Sequence, residues 1–113
     1  MEREIFDPVY AVLINEDDGN ICELKITPDD IYKVLKGTAT FIGQWPEIDV
    51  VVLKCDKTPF DLMVNVNILP PPFHQEEVRG PILLMRMDEN SEPQDFRLSE
   101  YQAWRATRTL PSV

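Results

Sequence analysis

Four consecutive aliphatic residues at Val50–Leu53 restrict what this chain can fold into more than any other feature of its sequence. They lie inside Ile48–Cys55, a segment rich in β-branched residues and therefore typical of a strand. Because successive side chains of a strand point to opposite faces of a sheet, an uninterrupted apolar run predicts a central strand that is covered on both faces. The fold must therefore contain a sheet with other parts of the chain packed against each side.

Four more short segments have the composition or the alternation of strands. Acidic turn residues at Asn15–Asn20 separate the first two and predict a hairpin, because Asp-Gly and Gly-Asn pairs tolerate the positive φ of a tight turn. A turn around Gln44–Glu47 precedes the apolar run. The four segments are Pro8–Ile14, Ile21–Ile26, Thr38–Gly43 and Ile82–Met87.

Capping residues predict a short helix in the first half of the chain. Thr27 precedes a proline and two aspartates, which is the composition of a helix start. The apolar spacing that follows predicts a helix over Pro28–Lys36, and Gly37 is expected to end it in the left-handed conformation.

A second helix is predicted near the carboxyl end. Ser99 with Gln102 fits a capping box and predicts a helix through about Thr107, with Tyr101 and Trp104 docked on the sheet. Together these patterns predict an α+β fold: a mostly antiparallel sheet of about five strands with two short helices on one face. The 113 residues suit a single domain, 1–113, with a core over about residues 8–107.

The charge of the chain argues against direct nucleic-acid binding. There are 20 acidic and 11 basic side chains, a net charge of −9, and no Lys/Arg cluster to hold phosphates. The apolar runs are far shorter than a membrane span. The acidic start at Met1–Asp7 does not resemble a secretory signal, so we expect a cytosolic protein, with the nucleus as the alternative. Cys22 and Cys55 are expected to be unbridged, apolar-flanked thiols.

No catalytic or metal-binding motif is recognisable in the sequence. Two cysteines and a single histidine are too few for a structural zinc site, so we expect no cofactor, no metal and no catalytic residue. An enzyme is therefore not the leading hypothesis. A small carboxylate-dependent hydrolase or transferase, using Asp56 and Asp61 with His74, is kept as an alternative.

The segment Leu69–Phe73 favours a protein partner, because its three consecutive prolines make it rigid and apolar. Large aromatic residues elsewhere would complete an anchor patch if they shared its surface. The alternative interpretation is that these aromatics pack as lids over the core. The candidate interaction residues are Trp45, Phe60, Pro70, Pro71, Pro72 and Phe73.

Acidic side chains are concentrated in two stretches. Residues 14–30 hold six acids and one lysine, and residues 74–100 hold seven acids and three arginines. If the fold joined the two stretches into one surface, the protein could act as a DNA mimic that inhibits a nuclease or another DNA-binding protein. Exposed turns that aid solubility are the simpler explanation.

The second half of the chain carries a recognisable order of motifs. A loop with Asn67 and three prolines is followed by Gly80–Leu84, an acidic turn and the segment Asp95–Gln102. In this order the chain resembles small uncharacterised acidic domains of phages, mobile elements and large algal DNA viruses, over about residues 9–105. The run of three prolines departs from the single or paired proline of those domains. The resemblance implies no catalytic residue. It implies an intracellular accessory protein, a virus-encoded one among the options, that acts on a host or viral macromolecule.

These observations favour a non-enzymatic accessory domain that binds another protein. The alternatives are the DNA mimic and the carboxylate-dependent enzyme. A homodimer is a further option, through Ile82–Met87 or Thr38–Gly43, if either strand lies at the edge of the sheet.

Overall fold

The protein is built around one antiparallel sheet, seen in a computed structural model that describes residues 7–16, 19–56, 63–65, 69–73 and 75–107. Within these ranges the order along the sheet is β2-β1-β5-β4-β3, and the short β6 pairs with one end of β5. Two short helices pack against it, which confirms the α+β class. The elements are β1 (Val9–Ile14), β2 (Ile21–Ile26), α1 (Ile31–Leu35), β3 (Ala39–Trp45), β4 (Val50–Cys55), β5 (Ile82–Met87), β6 (Pro93–Gln94) and α2 (Leu98–Thr107).

The strand bounds agree closely with the sequence pattern. β2 and β5 begin and end at the predicted residues. β3 runs on to Trp45, and β4 begins at Val50 rather than at Ile48, because a single 3-10 turn over Pro46–Ile48 joins them. The predicted hairpin is present, with β1 and β2 paired from Val9 opposite Ile26 to Ile14 opposite Ile21.

The most buried strand is β5, not β4. Every side chain from Ile82 to Met85 has no solvent exposure, and alternate residues enter two separate apolar clusters. β4 lies between β5 and β3, but Val51 and Leu53 on one of its faces are only half-buried. The prediction that β4 is covered on both faces is therefore correct for only one face.

The two helices lie on opposite faces of the sheet, whereas the sequence pattern placed them on one. Leu35 of α1 packs with Leu83 and Met85, and Tyr101 of α2 packs with Ile82 and Leu84. The two faces are called the α1 face and the α2 face below. The reason is topological: β2 and β3 are the two edges of the sheet, so the connection that contains α1 has to cross one whole face. The chain after β6 then covers the other.

The Thr27 cap is present as predicted, but it begins a 3-10 turn over Pro28–Asp30 that leads into α1, and the end of the helix differs from the prediction. The Asp30 carboxylate accepts hydrogen bonds from the Thr27 backbone N–H at 3.0 Å and from the Thr27 hydroxyl at 3.1 Å. These bonds hold the pKa of Asp30 below its ordinary value. At the other end Lys36, with φ 65°, takes the left-handed conformation predicted for Gly37. The Gly37 N–H donates to the Tyr32 carbonyl oxygen at 2.9 Å.

A glutamate from β2 caps α2. The Leu98 N–H donates to Glu23 Oε1 at 2.8 Å, and the Arg97 guanidinium donates to both Glu23 oxygens at 2.9 and 3.1 Å. The guanidinium also lies 3.7 Å from the centre of the Tyr10 ring. The helix therefore begins at Leu98, and Ser99 is not its cap. The predicted packing of Tyr101 and Trp104 against the sheet is confirmed.

We expect Glu23 to make α2 docking sensitive to acid. The hydrogen bonds from Arg97 and then Leu98 lower the pKa of Glu23 from its ordinary 4.5. A lowered pKa in the folded state contributes stability that is present above 4.5 and is lost as the pH falls through the lowered value. Glu23→Gln should thus be less stable than wild type at pH 7, and the gap should narrow in acid.

Urea unfolding of both proteins between pH 7 and about pH 3 measures this gap. A Glu76→Gln variant, which removes an exposed acid of the loop before β5, serves as the control. A gap between wild type and Glu23→Gln that stays constant across this range would contradict the assignment.

Candidate functional site

The structure brings together two of the aromatic residues singled out in the sequence, but inside the α2 face. The Trp45 and Phe73 ring centres are 5.7 Å apart, and the Trp104 ring packs against Trp45 in a tilted arrangement with ring centres 4.6 Å apart. Trp45 has no exposed surface and Phe73 is 9% exposed. The Trp45 indole N–H donates to the Pro71 carbonyl oxygen at 3.0 Å. These two rings therefore act as core residues beneath the proline segment, as in the lid interpretation.

The remaining predicted interaction residues are distributed differently. Pro70 is buried, Pro71 is half-buried and Pro72 is exposed. Phe60 lies outside the described residues. Pro71 and Pro72 thus keep a surface position beside the buried pair, and their role in binding stays a prediction.

The clearest unfilled surface lies on the opposite, α1 face. A helix of five residues is too short to cover a sheet of this width, and it leaves part of β3, β4 and β5 open. A groove of about 530 Å³ runs there. Its apolar lining consists of Phe41, Pro46, Val51, Leu53 and Met87.

A bulge in β3 builds this groove. The pairing with β4 shifts between Phe41 and Gly43, so that Phe41 lies opposite Leu53 and Gln44 opposite Val51. Without the extra residue, strict alternation would send Phe41 and Gln44 to opposite faces. The bulge places both on the α1 face. Phe41 is 58% exposed, which is unusual for a phenylalanine inside a strand.

Acidic and polar residues form one rim of the groove. Asp49, Asp88, Glu89 and Ser91 line it. The Asp88 carboxylate is held by N–H groups of its own turn, from Asn90 at 2.8 Å and Glu92 at 2.9 Å. The hydrogen bond from the Glu92 N–H lowers the pKa of Asp88 most, and the bond from the Asn90 N–H lowers it further. In the described part of the chain none of the three rim carboxylates forms an ion pair.

Sequence reasoning missed this groove because no local motif marks it. Phe41 and Leu53 were assigned to strands, but their shared face follows from a bulge, and the opening follows from how little α1 covers. The available signal was quantitative: a run apolar at every position needs two covers, and the sequence predicted only two short helices.

The acidic turns after β1 and after β5 lie at opposite ends of the sheet. Glu16 follows Ile14, which pairs with Ile82 at the start of β5, whereas Asp88 follows the end of β5. Glu16 is 3% exposed and within 3.3 Å of the Lys36 ammonium group. This separation does not favour one continuous acidic surface.

The residues considered for catalysis are only partly described. Asp56 is exposed after β4, and Asp61 and His74 lie outside the described residues. Over the described ranges no group of three or more His, Cys, Asp or Glu side chains is placed to hold a metal ion. Cys55 is buried and Cys22 half-buried, and both are free thiols. No helix among the described residues is both long and apolar enough to span a membrane.

Comparison with known proteins identifies a family. The model of a family of unknown function, DUF5880, matches residues 12–104, which include the whole sheet from the middle of β1 and most of α2. The chain belongs to this family. No curated protein and no solved structure matches the chain. Membership in DUF5880 agrees with the expected likeness to uncharacterised domains. All residues that line the groove fall within the matched range.

Gly43 provides a test of the packing at Trp45. A Cβ atom at position 43 would lie 2.5 Å from Cζ and 2.6 Å from Cε1 of Phe73. We expect Gly43→Ala to lower the free energy of unfolding by about 1–3 kcal/mol, because the buried Phe73 ring has to move. Without that contact, alanine in a strand would be neutral or stabilising by about 0.4–1 kcal/mol.

Denaturant unfolding of Gly43→Ala, Phe73→Leu and the double variant measures the coupling. The free energy of unfolding of the double variant should fall by clearly less than the sum of the two decreases in the single variants. Additive losses would show that Phe73 does not lie against Gly43.

Phe41 tests whether the groove is open. Because its side chain is 58% exposed, Phe41→Ala should change the free energy of unfolding by less than about 1 kcal/mol, whereas Leu84→Ala on the buried strand should cost about 2–5 kcal/mol. The Phe41 variant should also bind less of a fluorescent dye that reports exposed apolar surface. A loss as large as that of Leu84→Ala would mean that Phe41 belongs to the core.

Proposed function

We propose that this DUF5880 domain is a non-enzymatic accessory domain that binds another protein through the groove on the α1 face. The observation that carries the proposal is the apolar floor at Phe41, Val51, Leu53 and Met87, which the domain leaves open to solvent. Exposed apolar side chains bordered by polar ones are one mark of an interaction site. The proposal includes the intracellular setting expected from the sequence.

The composition of the groove supports a macromolecular partner. Its floor is aliphatic and aromatic, and its charged side chains lie only at the rim. This distribution, with an apolar centre and a polar border, is typical of protein interfaces. The groove is only about half enclosed and therefore suits a segment of chain better than a small molecule enclosed on all sides.

The test is photo-crosslinking in a lysate of the native cell. A photoreactive phenylalanine analogue at position 41 should form a covalent adduct with one protein of defined mass. The same analogue at Gln102, an exposed position on α2 and on the opposite face, is the matched control.

Replacement of Val51 by lysine, which puts a charge into the floor of the groove, should abolish the adduct formed from position 41. Circular dichroism and thermal unfolding verify that this variant folds. Equal adducts from positions 41 and 102, or none from position 41, would overturn the proposal.

A further inference from the structure

We infer that the occupant of the groove is an extended segment of the partner that carries both apolar residues and lysine or arginine. This inference rests on the proposed function and specifies the chemistry of the partner. It is drawn from the charge of the rim, the placement of the nearby cations and the nature of the β3 edge.

The rim supplies a negative field without a counter-charge. Asp49, Asp88 and Glu89 border the apolar floor, and in the described chain none of them pairs with a cation. The Asp88 side chain is fixed by three hydrogen bonds, the third from Gln94 Nε2 at 3.0 Å. A carboxylate held in this way loses little conformational entropy when a cation approaches.

The basic residues of the neighbouring strands are directed to the other face. Lys54 lies opposite Ile82 in register, on the α2 face. Arg86 is also on that face, where its guanidinium donates to the Asp95 carbonyl oxygen at 2.9 Å and pairs with Glu100 at 2.8 Å. Neither cation is therefore placed to neutralise the rim, and a partner would have to bring its own.

The edge of β3 suits an extended occupant. β3 is the last strand of the sheet, and its seven residues, Ala39–Trp45, include no charged residue and no proline. Natural edge strands usually carry lysine, proline or a bulge that limits pairing, and of these β3 has only the bulge between Phe41 and Gly43. Phe41 and Gln44 belong to both this edge and the groove. A segment lying along the edge would therefore place alternate side chains against the floor.

Two other occupants fit less well. A second copy of the chain would bring an identical acidic rim and another net charge of −9 against the first. A nucleic acid would set phosphates against the same carboxylates. A protein segment with both basic and apolar residues can pack its apolar side chains on the floor and pair its cations with the rim carboxylates.

The experiment is a selection from a library of random peptides of about 12 residues, which at about 3.3 Å per residue are longer than the seven-residue β3. The full-length protein is the bait. The enriched peptides should combine apolar residues with Lys or Arg. Titration of an enriched peptide should shift the backbone amide resonances of Phe41, Val51 and Met87. Light scattering of the free protein reports whether a second copy takes the site.

The charge contribution is measured with matched variants. Asp49→Asn combined with Glu89→Gln should weaken binding of the enriched peptide about fivefold. The same change should reduce the dependence of the affinity on salt between about 50 and 300 mM. Glu76→Gln combined with Glu77→Gln removes the same charge at exposed positions of the loop before β5 and should leave affinity unchanged.

The outcomes separate this inference from the proposed function. Enriched peptides that are neutral or acidic, no enriched peptide, equal losses in both double variants, or a dimer formed through β3 would each overturn the basic-segment inference. If photo-crosslinking at position 41 still captures one protein, the proposed function stands without it. Failure of that crosslink removes both.

Discussion

The structure depends on the way β5 is shared between two apolar layers. Ile82 and Leu84 pack beneath α2, and Leu83 and Met85 pack beneath α1, all without exposure to solvent. A strand of this kind requires cover on both sides, because each uncovered aliphatic side chain forgoes about 1.5–3 kcal/mol of burial. β5 is covered on both sides. Its neighbour β4 is buried at Val50 and Val52 on the α2 face but only half-buried at Val51 and Leu53 on the α1 face.

The α2 face is closed by several elements that come from distant parts of the sequence. α2 is anchored by Glu23 from β2, and Trp45 reaches the carbonyl oxygen of Pro71. Asn65, 7% exposed, donates to the carbonyl oxygens of Ile14 and Gly80 and so ties the loop after β4 to the sheet. On the α1 face a single short helix covers the sheet. The difference leaves the groove beside β3, with its apolar floor and acidic rim.

The fold was largely predictable from the sequence, and the candidate site was not. Strand positions follow from local alternation, and the bounds of β2 and β5 were predicted to the residue. The helix caps at Thr27 and Asp30 were also local. By contrast, the cap of α2 is supplied by Glu23, 75 residues from Leu98, and the burial of Trp45 depends on Pro71. The sequence left Trp45 and Phe73 as either part of a binding surface or lids over the core. In the fold both are buried. Phe41, which the pattern had assigned to an ordinary strand, is exposed instead.

The sequence by itself determined the kinds of element, their order, the excess of acid and the need for two covered faces, because each depends on residues adjacent in the chain. Tertiary structure decided which face each helix covers, which strand is central and which apolar residues stay open. Those outcomes depend on strand order and on one bulge at Phe41–Gly43. Both arise from contacts between residues that are far apart in sequence. The acidic turn after β5 illustrates the division. Its charge is plain in the sequence, but only the fold sets it beside an open apolar floor.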